Sequence, residues 1–224
     1  MAATSRSSEV LIVGAGPVGL FAALRLGQAG IKTTVIEKEA EISQLPRACM
    51  YYPQVQFALQ DAGIWNDIVE GGGFRTTGLD IRLPPVSDDQ GGKRPGELVA
   101  NFPREPNFDP KVDAYGPPVQ PPSMSMLNMP QPLLGKVLLE KAIETSNVEV
   151  LFGKELVSIL DGSKQDSAKV RVLVRDGITV ADEEYQSSFL VGADGGRSKT
   201  RSLLDIPFPG HTWPEKLIAT RMLC

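Results

Sequence analysis

The stretch that decides the fold is Glu9–Glu37, which reads EVLIVGAGPVGLFAALRLGQAGIKTTVIE. It begins with an apolar run typical of a buried strand, and a glycine-rich turn follows at Gly14–Gly19. The pattern then predicts a helix from Pro17 to about Ala29 and a second strand at Thr33–Ile36. A strand, a glycine turn, a helix and a strand in this order predict a βαβ unit of a Rossmann-like α/β fold.

The glycine turn has the G-x-G-x-x-G spacing of a dinucleotide-binding site. Gly14 makes the tight turn, Gly16 lets the backbone approach a pyrophosphate, and Gly19 lets the helix pack closely on the strand. Glu37 follows Gly19 by 18 residues and ends the second strand, where its carboxylate can accept hydrogen bonds from a ribose 2′-hydroxyl. The alternative is a tight strand-to-helix turn that binds nothing. The predicted nucleotide-binding residues are Gly14, Ala15, Gly16, Pro17, Val18, Gly19, Glu37 and Lys38.

Composition narrows the class of protein. The 224 residues are 42% hydrophobic and 22% charged, which is ordinary for a globular protein of one or two domains. The formal net charge of −4 provides no basic field for nucleic acid or for an anionic membrane surface. The start of the chain is polar, unlike a signal peptide, and no apolar run approaches the roughly 20 residues that span a bilayer.

Few side chains are available for metal or nucleophilic chemistry. Cys49 and Cys224 form neither a disulfide framework nor a metal-binding pattern, and His211 is the single histidine. We therefore expect no metal site and no Ser-His-Asp triad, and a reducing, cytoplasmic location fits best. Cys49 is expected to be a small buried thiol that packs rather than reacts.

The pattern changes along the chain predict four segments. Residues 9–73 and 131–206 are expected to form two parts of one domain, with the Pro-rich residues 74–130 as an insertion of strands and loops between them. Residues 207–224 are expected to begin a further sheet. The other predicted elements are helices at 54–63, 64–70 and 131–146, and strands at Leu79–Leu83, Leu98–Phe102, Val148–Phe152, Leu156–Leu160, Val170–Val174, Ile178–Val180, Phe189–Gly192 and Leu217–Leu223, with Asp176-Gly177 as a hairpin turn.

A second glycine turn follows the predicted strand at Phe189–Gly192. Asp194 stands at the end of this strand, where a carboxylate can hydrogen-bond a ribose or a phosphate-bound water. Gly195 and Gly196 allow close backbone approach beside a helix start. The alternative is a plain strand, turn and helix in which Asp194 is a cap. The upstream glycine turn favours the nucleotide-binding interpretation.

Together these motifs resemble those of the single-component flavin-dependent aromatic hydroxylases, the para-hydroxybenzoate and phenol hydroxylase group. Residues 14–37 are similar to the FAD-binding unit of that family. Gly192–Gly195, with Ser198 and Arg201, is similar to its Asp-Gly motif, which serves both FAD and the pyridine nucleotide. The resemblance therefore implies that Asp194 and Gly195 contact the cofactor.

Two further stretches carry the same resemblance. Pro46-Arg47-Ala48 is similar to the loop in which the family places an arginine against the phosphate and ribityl portion of the flavin. Gln131 is similar to the family's glutamine that opens a helix and contacts the cofactor. The resemblance adds Arg47, Ala48 and Gln131 to the expected FAD site.

The resemblance implies an enzyme. It implies an FAD-dependent monooxygenase that uses NADH or NADPH and molecular oxygen to hydroxylate a small, phenol-like aromatic substrate through a flavin C4a-hydroperoxide. A flavin epoxidase or isoprenoid-chain reductase is the alternative within this fold, and a catalytically incomplete nucleotide-binding protein is the alternative outside catalysis. No catalytic residue is assigned from the sequence.

The chain is shorter than members of this family. They continue past the Asp-Gly motif through a sheet that walls the substrate cavity, and then reach a Gly-Asp motif that binds the flavin. On this comparison the chain is expected to be a fragment, one half of a split enzyme or a decayed paralogue. Leu217–Leu223 would be the first strand of that sheet, and its unpaired edge is expected to need a second copy or a partner chain.

Overall fold

The structure is a computed structural model that describes residues 6–45, 47–87, 91–102, 108–117, 125–160 and 169–214. The strands in these ranges are β1 (Arg6–Val13), β2 (Thr33–Glu37), β3 (Met50–Tyr51), β4 (Phe74–Thr76), β5 (Leu79–Arg82), β6 (Val86–Ser87), β7 (Lys93–Arg94), β8 (Leu98–Phe102), β9 (Met126–Asn128), β10 (Val148–Phe152), β11 (Lys154–Leu160), β12 (Val170–Asp176) and β13 (Asp182–Gly192). The helices are α1 (Pro17–Gln28), α2 (Pro53–Asp61), α3 (Trp65–Glu70), α4 (Gln131–Glu144) and α5 (Lys199–Leu203). The chain forms two compact units: unit 1 contains Met1–Arg47 and Gln131–Cys224, and unit 2 contains Ala48–Pro130.

Unit 1 is built on a six-stranded sheet in the order β10-β2-β1-β13-β12-β11. β1 pairs in parallel with β2 and β13, and β10 pairs in parallel with β2. β12 pairs antiparallel with both β11 and β13. Because β1, β2 and β13 run in the same direction, their carboxyl ends meet at one edge of the sheet. Both glycine turns follow strands at that edge, which is where ligands bind in open α/β sheets.

The continuous apolar run of β1 is explained by burial on both faces of the sheet. Leu11 and Val13 lie in a buried cluster with side chains of β11, β12 and β13. Val10 and Ile12 alternate with them and are also buried, at 6% and 0% exposure. Side chains alternate across a strand, so these two point to the opposite face, where α1 contacts β1 and β2 and packs against α4.

Unit 2 is made of α2, α3 and short antiparallel sheets. The sheets are the three-stranded β3-β9-β4 and the pairs β5-β8 and β6-β7. Its core combines apolar and polar side chains. The buried apolar members include Leu59, Ile64, Trp65, Ile68, Leu127 and Met129. The buried polar members are Gln56 and Ser125, both at 0% exposure, and Arg75 at 3%.

Arg75 joins β4 to the 113–116 segment of unit 2. Its guanidinium donates to the carbonyl oxygens of Asp113 (2.7 Å) and Gly116 (3.1 Å), and to the hydroxyl of Ser125 (3.0 Å). The side-chain amide of Gln56 donates to the carbonyl oxygen of Ser125 at 2.8 Å. Since buried polar groups are costly when unpaired, these bonds allow a charged side chain to lie in the core.

The Asp-Gly hairpin is present, but its predicted second strand is wrong. Residues 178–180 lie in the turn, and β13 begins at Asp182 and includes the stretch predicted as a separate strand at 189–192. The carboxylate of Asp176 accepts hydrogen bonds from the N–H groups of Ile178 (2.8 Å) and Thr179 (2.7 Å). Val180 has a φ of 57°. The aspartate therefore stabilises a longer turn than a two-residue Asp-Gly hairpin has.

The units divide the chain at Arg47, whereas the sequence pattern placed the start of the insertion at residue 74. The difference arises because α2 packs against β9 and because Gln56 bonds to Ser125, so residues 48–73 group with the insertion. The four-segment division stays a prediction.

The predicted strand at Leu217–Leu223 lies outside the described residues. Within the described ranges, no helix has the length and apolar character that a membrane crossing needs.

Candidate nucleotide-binding site

The Gly14–Gly19 turn joins β1 to α1. The space around each of its three glycines is different. Gly14 has a φ of +106°, and a Cβ on it would lie 2.5 Å from the carbonyl oxygen of Ala193. A Cβ on Gly19 would collide with the carbonyl oxygen of Gly14, so α1 packs directly on the turn. Nothing lies within 4 Å of a Cβ on Gly16. Open space beside Gly16 is what the approach of a phosphate requires.

The amino end of α1 is open to solvent. Gly16 is the N-cap and makes no side-chain cap, Pro17 is the first helical residue, and Val18 is 75% exposed. N–H groups in the first turn of a helix have no partner within the helix, and they carry partial positive charge. The start of α1 therefore offers backbone donors to an anion.

Glu37, at the carboxyl end of β2, is bonded to the glycine turn. Its Oε2 accepts a hydrogen bond from the N–H of Ala15 at 2.8 Å, and its Oε1 accepts one from the N–H of Glu39 at 3.0 Å. The N–H of Gly14 donates to the carbonyl oxygen of Ile36 at 2.8 Å. A carboxylate has about four acceptor positions, so Glu37 retains acceptors for the hydroxyls of a ribose.

The second glycine turn lies against the first. The N–H of Ala193 donates to the carbonyl oxygen of Val13 at 2.8 Å, and Ala193 is also the residue that leaves no room for a Cβ on Gly14. Gly195 has a φ of +79°, and nothing lies within 4 Å of a Cβ on Gly196. Two motifs that are far apart in the sequence thus form one continuous stretch of the sheet edge.

The carboxylate of Asp194 is engaged within its own turn. It accepts hydrogen bonds from the Ser198 hydroxyl (2.5 Å) and from the N–H and hydroxyl of Thr200 (2.9 and 3.1 Å). Burial acts to raise the pKa of Asp194, but the hydrogen bonds from Ser198 and Thr200 outweigh it and hold the pKa below its ordinary value. The N-cap of α5 is Ser198, whose hydroxyl accepts a hydrogen bond from the N–H of Arg201 at 2.9 Å, and Asp194 holds this cap residue in place. A contact between Asp194 and a nucleotide stays a prediction.

Four other predicted site residues lie outside the two turns. Lys38 is exposed, with its Nζ 3.7 Å from a carboxylate oxygen of Glu39. Arg47 and Ala48 are both exposed and stand where the chain passes from unit 1 to unit 2. Gln131 is the first residue of α4 and is half-buried. Their contacts with a cofactor stay predictions.

The expectation of a buried thiol at Cys49 is wrong, because Cys49 is exposed. Its neighbours Met50 and Tyr52 are also exposed, at 47% and 67%, so this apolar stretch does not enter the core. Burial, and to a smaller extent the neighbouring Cys49, raises the pKa of Tyr51 to about 12. The phenol of Tyr51 therefore stays protonated at neutral pH.

A cavity of about 300 Å³ lies in unit 1, beside the loop that follows β2. Phe152, at the end of β10, contributes to its wall and is paired in register with Glu37. The sequence did not reveal this cavity, because its lining comes from three separate stretches and no local pattern marks such a set. The lining residues are Ala40, Glu41, Ile42, Gln44, Pro132, Leu133, Lys136, Leu139 and Phe152.

The arrangement suits binding rather than bond making. Backbone N–H groups at the start of α1 suit phosphates, the carboxylate of Glu37 suits a ribose diol, and the largely apolar cavity suits a flat ring. Within the ranges that the structure covers, no group of three His, Cys, Asp or Glu side chains could hold a metal ion. The residues present therefore fit the adenosine diphosphate half of a dinucleotide.

Comparison with known proteins agrees with this geometry. The chain is 34% identical over 224 residues to the 3-(3-hydroxy-phenyl)propionate/3-hydroxycinnamic acid hydroxylase of Paraburkholderia xenovorans (strain LB400). This match covers 95% of this chain and 30% of the relative. It is 31% identical over 215 residues to the para-nitrophenol 4-monooxygenase of Pseudomonas sp. (strain WBC-3). This match covers 95% of this chain and 46% of the relative. The chain thus spans less than half the length of these two relatives.

A solved structure shares the fold. The flavin-dependent monooxygenase PieE, in complex with FAD and substrate, superposes with a TM-score of 0.67 at 27% sequence identity, over 89% of this chain and 32% of PieE. The expected Rossmann-like FAD-binding fold is thereby confirmed. A family model described as "FAD binding domain" matches residues 7–220, nearly the whole chain. The chain therefore belongs to the FAD binding domain family.

Proposed function

We propose that this chain is the FAD-binding part of an NADH- or NADPH-dependent monooxygenase that hydroxylates a small, phenol-like aromatic substrate with molecular oxygen. The observation that carries the proposal is the open position at Gly16, next in the chain to Ala15, whose N–H is bonded to the carboxylate of Glu37 at the edge where the two glycine turns meet. The names of the two relatives, a hydroxylase and a monooxygenase of phenolic compounds, support the substrate class.

The binding of FAD follows from the chemistry of each part of the site. The pyrophosphate accepts hydrogen bonds from the first N–H groups of α1, beside Gly16. Glu37 accepts hydrogen bonds from the ribose hydroxyls, and its charge opposes a 2′-phosphate. The adenine ring occupies the cavity lined by Ala40, Ile42 and Phe152, beside the strand end that carries Glu37.

The flavin half is assigned to the residues that the family resemblance supplies. Arg47 and Ala48 lie along its phosphate and ribityl portion, and Gln131 contacts it from the start of α4. Asp194 and Gly195 form the second turn, which serves FAD and the pyridine nucleotide. Bound FAD supplies hydride acceptance from NADH or NADPH and the reaction with oxygen. The residues of this chain bind and orient the cofactor.

The competing functions differ in the reaction that follows FAD binding. A flavin epoxidase or isoprenoid-chain reductase would bind FAD equally well, and a catalytically incomplete chain would bind FAD without oxidising NADH or NADPH. A second copy or a partner chain that completes the sheet at Leu217–Leu223 belongs to the same proposal. Light scattering that shows a monodisperse, active monomer would contradict that last element.

The test is to purify the chain and record its visible spectrum. The proposal expects bound oxidised FAD and oxidation of NADH or NADPH that phenols stimulate. A yellow protein without this stimulation would restrict the function to FAD binding, and a colourless protein that does not take up added FAD would overturn the proposal.

A Gly16→Val substitution tests the assignment of the phosphate site. We expect FAD affinity to fall by about tenfold or more, which corresponds to at least about 1.4 kcal/mol, because the side chain fills the space that the pyrophosphate needs. The measurement is fluorescence titration with FAD. Gly210→Val is the matched control, because a Cβ on Gly210 also has nothing within 4 Å and lies outside both turns. Equal affinities in the two variants would contradict the assignment.

A further inference from the structure

Glu37 makes two contacts that a ribose acceptor does not need. Its Oε2 holds the N–H of Ala15, and its Oε1 holds the N–H of Glu39. Both carboxylate oxygens are therefore bonded to the protein's own backbone. The Ala15 contact crosses from the end of β2 to the glycine turn after β1, a separation of 22 residues.

We propose that Glu37 is a positioning residue that holds the glycine turn in its phosphate-binding shape before a nucleotide arrives. The identity of the ligand rests on the proposed function. The contact with Ala15 does not, because it joins two groups of this chain.

The geometry explains what the contact does to the turn. Ala15 is 5% exposed, and its N–H is committed to Glu37, so it is not a donor for a phosphate. The turn is anchored on either side of Ala15, by the bond from Gly14 N–H to Ile36 and by the bond from Leu20 N–H to Gly16. Glu37 supplies the anchor between them. The phosphate donors accordingly begin at Gly16 rather than at Ala15.

A charged acceptor is well suited to this task. Hydrogen bonds from a backbone N–H to a carboxylate are shorter and stronger than bonds between neutral groups. Donors that are already held in place cost less to order when a ligand binds. Glu37 is thus expected to strengthen the binding of a phosphate through the turn, although its own negative charge repels the phosphate.

Positioning of the turn strengthens phosphate binding, and the negative charge of Glu37 weakens it. Inorganic pyrophosphate separates these two effects from the contact with the ribose, because it has no ribose. If Glu37 acted through charge alone, Glu37→Ala would strengthen pyrophosphate binding. If Glu37 positions the turn, Glu37→Ala weakens it, and we expect a loss of at least about threefold by calorimetric titration. Glu39→Ala is the matched control, because it removes a neighbouring exposed carboxylate and leaves the backbone N–H of residue 39 in place. We expect equal or stronger pyrophosphate binding in that control.

Amide hydrogen exchange of the FAD-free protein tests the contact itself. We expect exchange at the Ala15 N–H to be faster by about tenfold or more in Glu37→Ala than in Glu39→Ala, since the acceptor is lost. Glu37→Gln keeps one carbonyl oxygen and is expected to restore part of the protection at either Ala15 or Glu39. Glu37→Gln also tests the proposal if Glu37→Ala fails to fold. If neither the Ala15 N–H nor the Glu39 N–H exchanged faster in Glu37→Gln than in the wild type, the proposal would be overturned.

The two measurements fail separately. If wild-type protein bound neither pyrophosphate nor FAD, the proposed function would fall, and the exchange of Ala15 would still decide whether Glu37 holds the turn. If FAD bound and Glu37→Ala left both Ala15 exchange and pyrophosphate affinity unchanged, the positioning role would be wrong while the proposed function stood.

Discussion

The two units of this chain are stabilised in different ways. In unit 1 the large side chains that are fully buried are aliphatic, such as Ile12, Leu20 and Ile36 at 0% exposure, and the buried polar side chains among its described residues are serines and threonines. In unit 2 a guanidinium and a carboxamide lie in the core, at Arg75 and Gln56. Parallel strands that helices cover, such as β1 and β2, bury apolar residues on both faces, whereas short antiparallel sheets leave loop carbonyls that need donors.

This difference predicts which substitutions destabilise each unit most. Apolar contacts are numerous and non-directional, so the loss of one is partly absorbed by its neighbours. Polar contacts in a core are directional, and removing one partner leaves the others unpaired. A polar substitution in unit 2 should therefore cost as much as an apolar truncation in unit 1, or more.

The largest expected effect comes from Arg75→Ala. We expect the free energy of unfolding to fall by about 4 kcal/mol, because carbonyl groups of the 113–116 segment and the hydroxyl of Ser125 lose their donor inside the core. Urea denaturation measures the loss, and hydrogen exchange should locate it in residues 48–130. The control is Arg82→Ala, whose side chain is 41% exposed and pairs with Asp80 at the surface. Similar losses in both variants would show that the buried contacts of Arg75 stabilise unit 2 no more than a surface ion pair does.

Leu24→Ala should have the next largest effect. Leu24 is 1% exposed on α1, and truncation of a buried leucine costs about 3 kcal/mol through lost burial and the cavity that remains. Leu45→Ala, at a leucine that is 60% exposed, is the matched control and should cost less than about 0.5 kcal/mol. Denaturation curves give both values. A cost for Leu24→Ala above that of Arg75→Ala would reverse the comparison.

The smallest expected effect concerns pH and the polar contacts on the rim of unit 1. The hydrogen bond from Lys154 (2.6 Å), followed by those from the backbone N–H groups of Thr179 and Ile178, lowers the pKa of Asp176 below its ordinary value. The stabilisation is therefore fully present above the unfolded-state pKa of about 3.9, and it is lost as the pH falls through the lower folded-state pKa. We expect the melting temperature to drop below about pH 4.

Asp176→Asn tests this cause directly, because asparagine does not titrate. Its melting temperature should be lower than that of the wild type at neutral pH, and should depend less on pH below about pH 4. Asp205→Asn is the matched control at an exposed aspartate, and it should retain the wild-type profile. A wild-type acid profile in Asp176→Asn would exclude Asp176 as the source.

The sequence predicted the part of the fold that is local. The β1-α1-β2 unit was predicted correctly, because its apolar periodicity and glycine spacing depend on residues within one short stretch. The strand after the Asp-Gly turn was misplaced because Asp176 bonds to two N–H groups beyond the glycine and lengthens the turn. Cys49 was misassigned because the tendency of a free cysteine to be buried belongs to the residue type, and the position of Cys49 in the fold leaves it exposed.

The candidate site divides in the same way. The steric requirements at Gly14 and Gly19 follow from the absence of a Cβ, which is a property of the residue itself, and the approach of a phosphate at Gly16 stays a prediction. The contacts of Asp194 with Ser198 and Thr200 are also local, since these residues lie close to it in the sequence. By contrast, the bond between Glu37 and Ala15 requires β1 and β2 to be adjacent and in register.

By itself, the sequence determined the βαβ unit and the glycines that open the edge of the sheet, because steric limits and hydrophobic periodicity act over a few residues. The tertiary structure decided which groups meet. It brought Ala193 against Gly14, bonded Glu37 to the N–H of Ala15 and buried Arg75 among loop carbonyls. Such contacts depend on the pairing of strands and loops that are distant in the chain, and no local pattern encodes that pairing.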